Sequence, residues 1–171
     1  MCIRDSLYGT EGPYVHRSPE EIMVELGEIR SKYRNHDNNF LYNERAQELQ
    51  LVVYNQGDEQ IDDASLALVL PNHSGFYVAD ALPRRIVNDR FVDRSPDELG
   101  KYPGVTLSDN AIHVNCAIGD LPAGEPVDAF SVPLRVCAGS DLRGRRFGLR
   151  YALHGHNLRA PATGQLKLCF A

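Results

Sequence analysis

No stretch of this 171-residue chain approaches the roughly 18 consecutive apolar residues that a membrane helix requires. Positive charge is also in short supply. Lys and Arg total 18 against 23 Asp and Glu, a formal net charge of −5. Direct nucleic-acid binding, which relies on Lys and Arg neutralising phosphates, is therefore not expected. The basic cluster Arg143, Arg145, Arg146 and Arg150 is local and reads as a solvated turn and strand edge. Cysteine is sparse as well. Of the four, Cys2 belongs to a terminal hexapeptide, which leaves Cys116, Cys137 and Cys169. An odd number makes no complete disulfide framework, and the spacings fit no zinc pattern. Each lies in an apolar run, where free cysteine behaves as a small hydrophobe. All three are expected to be strand thiols in a reducing, cytoplasmic compartment. A Cys116–Cys137 bridge stays open if their strands face each other. Catalytic signatures are missing too. There is no Gly-x-Ser-x-Gly elbow and no Gly-x-x-x-x-Gly-Lys-Ser/Thr loop, and Gly139-Ser140 opens no helix. No catalytic residue, cofactor or resident metal is expected, and the chain is not expected to be an enzyme.

The periodicity that is present changes once. Ser18-Pro19-Glu20-Glu21 combines a serine N-cap, a proline at the first helical position and a Ser-x-x-Glu capping box. Ile22, Leu26, Ile29 and Tyr33 follow at helical spacing. Residues 35–39, Asn-His-Asp-Asn-Asn, read as a loop, with a second helical turn near Tyr42–Gln47. From Glu48 the period becomes two. Leu49, Leu51 and Val53 alternate with polar or outward neighbours, and so do Leu66, Leu68 and Leu70. Later alternations are Ile112, Val114 and Cys116, then Phe130 to Val136, Phe147 to Leu153 and Leu166 to Phe170. Turn residues separate these runs. The pattern predicts a mainly β fold, an antiparallel β-sandwich of seven or eight strands over residues 48–171 with an N-terminal helix. Residues 7–47 then form the helical tail of an upstream region. Residues 83–104, charged and rich in proline, read as one long connection.

Three stretches resemble bacterial immunoglobulin-like domains of the CARDB kind. They are Leu51-Val52-Val53-Tyr54-Asn55-Gln56-Gly57-Asp58, Ala67-Leu68-Val69-Leu70-Pro71, and Ile118-Gly119-Asp120-Leu121-Pro122-Ala123-Gly124-Glu125. The resemblance spans about residues 49–136 and implies an Ig-like sandwich rather than an activity. The helix and the 83–104 segment depart from such repeats. Residues 12–22, Gly-Pro-Tyr-Val-His-Arg-Ser-Pro-Glu-Glu-Ile, resemble the tail of Schlafen-type, AlbA-like ATP- or nucleic-acid-binding domains. That resemblance implies chemistry upstream and none in this chain. Met1-Cys2-Ile3-Arg4-Asp5-Ser6 resembles a translated transposon-end sequencing adapter, so residues 1–6 are expected to be foreign and the chain to be a fragment.

Candidate sites are few. His154 and His156 would share one face of a continuous strand and could begin a metal site, but a strand end is the plainer reading. Asp58, Glu59, Asp62 and Asp63 form an acidic turn without EF-hand spacing, which reads as solvated. In the 83–104 segment, Arg84, Arg85, Arg90 and Arg94 alternate with Asp89, Asp93, Asp97 and Glu98, which suggests self-pairing. A connection this long is often functional, so these four arginines are the candidate partner contacts. The expected function is a non-catalytic interaction or accessory module at the C-terminus of a larger bacterial protein. Its partner would be a protein or its own upstream domain, with no membrane involved. The alternatives are the accessory end of a Schlafen-like regulator and an exported cell-surface Ig-like repeat.

Overall fold

The computed structural model describes residues 18–170. The adapter-like hexapeptide, Cys2 and the first part of the Schlafen-like stretch lie outside the described residues. The predicted capping box is formed: Ser18 N donates to Glu21 Oε2 at 2.8 Å, and Glu21 N donates to Ser18 Oγ at 3.1 Å. It opens α1, Pro19–Asn39. Two compact units divide within this helix, the second beginning at Asn35.

The expected loop at 35–39 is helical and runs into a π-helical turn, Phe40–Glu44. Asparagine disfavours helix interiors because its side chain competes for backbone partners. Here those side chains are satisfied elsewhere. Asn39 Nδ2 donates to Glu44 Oε1 at 3.0 Å, and Asn43 Nδ2 donates to Asn39 Oδ1 at 2.6 Å. These side-chain bonds across one turn offset the competition that asparagine otherwise offers the helix backbone.

The strands are β1 Gln47–Leu49, β2 Val52–Tyr54, β3 Ile61–Pro71, β4 Phe76–Val78, β5 Arg85–Val87 and β6 Arg90–Val92. A short helix α2, Pro96–Gly100, precedes β7 Gly104–Leu107 and β8 Ala111–Leu121. Then come β9 Pro126–Asp128, β10 Leu134–Ala138, β11 Arg146–His154 and β12 Ala162–Cys169. A five-stranded sheet has the order β12-β11-β3-β8-β7, and a three-stranded sheet the order β1-β10-β4. The pairs β2-β9 and β5-β6 form two separate two-stranded sheets. Every pairing is antiparallel. The fold is thus a mainly β sandwich with an N-terminal helix, as its alternation predicts, although the described residues form twelve strands rather than seven or eight, several of them only three residues long.

One core joins the sheets. Leu66, Leu68 and Leu70 of β3 and Ile112 and Val114 of β8 are buried with Phe76, Val78, Leu134 and Val136 of the smaller sheet. Each such Leu or Val contributes about 1.5–3 kcal/mol by leaving water. Cross-strand register holds the two faces apart: Leu68 lies opposite Tyr151 on one side and Val114 on the other.

Two sequence readings are corrected. Residues 49–54 are not one strand. The ladder breaks at Gln50, whose side chain takes over the backbone role: Nε2 donates to Phe130 O at 2.8 Å, and Oε1 accepts from Phe130 N at 3.3 Å. The run beginning at Phe130 becomes a strand only at Leu134, and Phe130 is instead a fully buried plug. Alternation could not register either break, because both sides of each continue the same apolar period.

A candidate interaction surface in the 83–104 segment

The segment read as a long connection has structure of its own. Asn88 and Asp89, at φ 49° and 60°, close the β5-β6 hairpin in the left-handed region that these two residues tolerate. Ser95 then caps α2 through a reciprocal box with Glu98. The hydrogen bonds from Ser95 hold the Glu98 carboxyl below its usual range, with Arg85 and Arg94 adding to the effect. On α2 itself, Lys101 Nζ lies 2.8 Å from Asp97 Oδ2.

The four candidate arginines do not act alike. Arg84 Nε pairs with Asp93 Oδ1 at 2.7 Å, and Arg85 pairs with Glu98. Arg94 is largely buried, donates from Nε to Pro83 O at 2.7 Å and lies 3.7 Å from Glu98. Burial and the nearby Arg85 guanidinium lower its pKa. These three brace the segment internally, in line with the self-pairing expected from the mixed charges. Arg90 is exposed on β6 and forms no ion pair among the described residues. Around it the hairpin exposes apolar side chains: Ile86 and Val87 at 48 %, Val92 at 45 %, and Leu99 on α2 at 44 %.

The segment is anchored at its far end. Tyr102 is buried, and its hydroxyl donates to Ala79 O at 3.2 Å and accepts from Arg135 N at 3.1 Å. Burial pushes its pKa up to about 12. Arg135 also donates to Tyr42 O at 3.1 Å and pairs with Glu48 at 3.1 Å. Tyr42 donates to Val78 O at 3.4 Å, and burial, then Asp80, raise its pKa. Sequence reasoning missed this cluster. Tyr102 sat in a stretch without periodicity, and only a lone tyrosine among prolines and charges hinted at an anchor.

The other candidates are placed as follows. Strand β11 ends at His154, so the alternation that would bring His156 beside it does not continue. His156 N instead donates to Asp62 O at 2.8 Å. Asp62 and Asp63 stand at an irregularity of β3, where Asp63 N donates to Asp120 Oδ1 at 3.2 Å. Among the described residues no three His, Cys, Asp or Glu side chains group as metal ligands. Asn55, expected as a turn residue, is buried and holds the turn from inside. Its Nδ2 donates to Glu59 O and Leu121 O at 2.8 and 3.2 Å, and its Oδ1 accepts from Gly57 N at 3.0 Å. Gly124 adopts φ 76° before β9 and donates to Asn55 O at 2.9 Å. Cys116, Cys137 and Cys169 are free thiols. A cavity of about 300 Å³ opens between β2 and the five-stranded sheet, lined by Leu51, Val53, Leu68, Tyr151, Leu153 and Leu166. Among the described residues no helix is long and apolar enough to cross a membrane.

No family model matches the chain, and no curated protein matches it. Among solved structures, the chain is similar at a TM-score of 0.36 and 12% identity to one titled "AvmM Catalyzes Macrocyclization in Alchivemycin A Biosynthesis", over 74% of this chain and 80% of that one.

Proposed function

We propose that this domain is a non-catalytic protein-interaction module, an accessory piece of a larger bacterial protein, and that it binds through the 83–104 segment. The observation that carries the reading is the hairpin itself. Ile86, Val87 and Val92 are presented to solvent on a support braced by Arg84–Asp93 and Arg85–Glu98. Val87 and Val92 share one face of the hairpin with Arg90 and Ile86 projects from the other, and exposed apolar side chains on a braced element lose little entropy on docking. Arg90 beside them supplies a cation free to pair with a partner. The three free cysteines support a reducing compartment.

The test is comparative enrichment from the source cells with the wild-type domain and with an Ile86→Asp/Val87→Asp variant. Both positions are exposed, so the fold should survive, and circular dichroism checks that it does. A protein retained by the wild type and lost by the folded variant supports the reading. Identical recoveries from both would overturn it.

A further inference from the structure

The outward face of the five-stranded sheet carries cations on β11 and β12, and its carboxylates, Asp62, Asp63 and Asp120, are confined to the irregular end of the β3-β8 ladder. Short of that end, its outward positions are residues 65, 67, 69 and 71 of β3, the odd positions from 111 to 117 of β8, and Gly104 and Thr106 of β7. On β11 they are the even positions from 146 to 154, and on β12 the odd positions from 163 to 169. None is Asp or Glu, although the chain holds 23 of them. Arg146, Arg150 and Lys167 stand on this face, all exposed. Register puts Lys167 opposite Gly148, midway between the two arginines along the neighbouring strand. Nothing lies within 4 Å of where a Cβ on Gly148 would stand, so the three cations ring an open floor. No ion pair reaches any of them among the described residues. Beside them the surface is small and half-buried. Ala67 lies between depressions of about 330 and 490 Å³ and lines both, while Val69 and Ala152 line the larger together with Arg150.

We propose that this face docks an acidic protein segment whose carboxylates meet Arg146, Arg150 and Lys167 while small apolar side chains settle over Ala67 and Ala152. The inference rests on the interaction-module reading but assigns a second surface, distinct from the hairpin. Three arguments favour this occupant. The first is charge complementarity. In a chain of net charge −5, Arg146, Arg150 and Lys167 cluster at the β11-β12 edge, away from the carboxylates at the far end of β3 and β8, and suit an acidic partner. The second is area. Five strands about 4.8 Å apart, with β11 near 30 Å long at about 3.4 Å per residue, span roughly 600 Å². That approaches the roughly 800 Å² per partner of a standard interface. The third argues against nucleic acid. Three cations neutralise few phosphates, and no outward position of the five strands is a Phe, Tyr or Trp on which bases could stack.

The test uses the whole 171-residue protein, isotope-labelled, titrated with a synthetic amphipathic peptide bearing Glu flanks and an Ala/Leu face. The comparators are its Lys-for-Glu counterpart and a 20-nucleotide oligothymidylate. Amide shifts map the site. The expected result is binding of the acidic peptide with shifts confined to the five-stranded sheet and largest on β11 and β12, weakened at least tenfold in Arg146→Glu/Arg150→Glu/Lys167→Glu. A milder Arg150→Gln/Lys167→Gln variant keeps the test readable if the triple variant misfolds. No binding, equal binding by the variants, shifts elsewhere, or tighter binding of the oligonucleotide would each overturn the proposal. Should it fall while the hairpin variant still loses its partner, the interaction-module reading stands.

Discussion

The phenol oxygen of Tyr102 lies 3.1 Å from the backbone nitrogen of Arg135, 33 residues along the chain. The same oxygen donates to Ala79 O, so one hydroxyl closes the β4–β10 end of the smaller sheet onto the foot of the 83–104 segment. Both partners are backbone groups, and Ala79 N donates in turn to Arg135 O at 3.0 Å. Arg135 is further committed through its guanidinium to Tyr42 and Glu48. The inserted hairpin and α2 are thereby held by a buried polar joint at one end and by ion pairs along their length.

Removing that hydroxyl should be costly. Tyr102→Phe keeps the ring in the core but orphans a buried N–H and a buried carbonyl, each worth about 1–3 kcal/mol when left unsatisfied. The expected outcome is a lower urea midpoint with an unchanged m-value. A midpoint shift that, multiplied by m, amounts to only a few tenths of a kcal/mol would mean that water replaces the hydroxyl.

The same residue sets an alkaline limit. Its folded pKa, about 12, exceeds the ordinary 10.0, so the folded state favours the neutral phenol. That contribution is complete below pH 10 and is lost as the pH rises through 12. Two units correspond to roughly 2–3 kcal/mol. Stability measured by denaturant between pH 9 and 12 should fall more steeply in the wild type than in Tyr102→Phe. The residual slope in the variant would come in part from Tyr42, whose pKa is raised in the same direction.

Gln50 offers a test in the opposite pH range. Its amide donates to Phe130 O and accepts from Phe130 N across the break between β1 and β2. Gln50→Glu preserves shape but sets an oxygen against the Phe130 carbonyl when ionised. The variant should lose about 1–3 kcal/mol at pH 7 and recover part of it near pH 4, where a protonated carboxyl donates again. Equal destabilisation at both pH values would place the loss in packing.

These joints explain how far the sequence could be read. Period-two alternation located β3, β8, β11 and β12 because each buries one face only, and a slip of one residue would turn Leu66, Leu68 and Leu70 outward. The capping box at Ser18 and the turn at Asn55 were legible because their chemistry is local. Tyr102, Gln50 and the helical 35–39 stretch were not. The partners of Tyr102 and Gln50 lie 33 and 80 residues away, and the 35–39 stretch is continued by Asn39 bonding into the following π-helical turn, which no periodicity signals. The mixed charges of the 83–104 segment suggested self-pairing but not the hairpin. Its signal was the Asn88-Asp89 pair, flanked by only three strand residues on each side.

Thiol reactivity follows burial. Cys169 is exposed, Cys137 is buried and Cys116 is half-buried, with burial raising the Cys116 pKa. Brief alkylation of the native protein, mapped by mass spectrometry, should label Cys169 well before Cys137 and Cys116. The order should vanish in urea. Early labelling of Cys137 would mean that β10 opens locally.

The turn around Asp141 carries the last prediction. A Cβ on Gly139 would lie 2.5 Å from Asp141 Oδ1, and one on Gly75 would lie 3.0 Å from the same atom. The two glycines differ in backbone, since Gly75 sits at φ 83° and Gly139 does not enter that region. Gly139→Ala should therefore be destabilised by a clash alone, and Asp141→Gly should relieve it in the double variant. Gly75→Ala carries backbone strain of about 1–2 kcal/mol that no change at Asp141 removes. A double-mutant cycle reads the difference: strong coupling between positions 139 and 141, weaker between 75 and 141. Equal coupling would mean that the turn relaxes as a unit and that Asp141, rather than the glycine backbones, sets its shape.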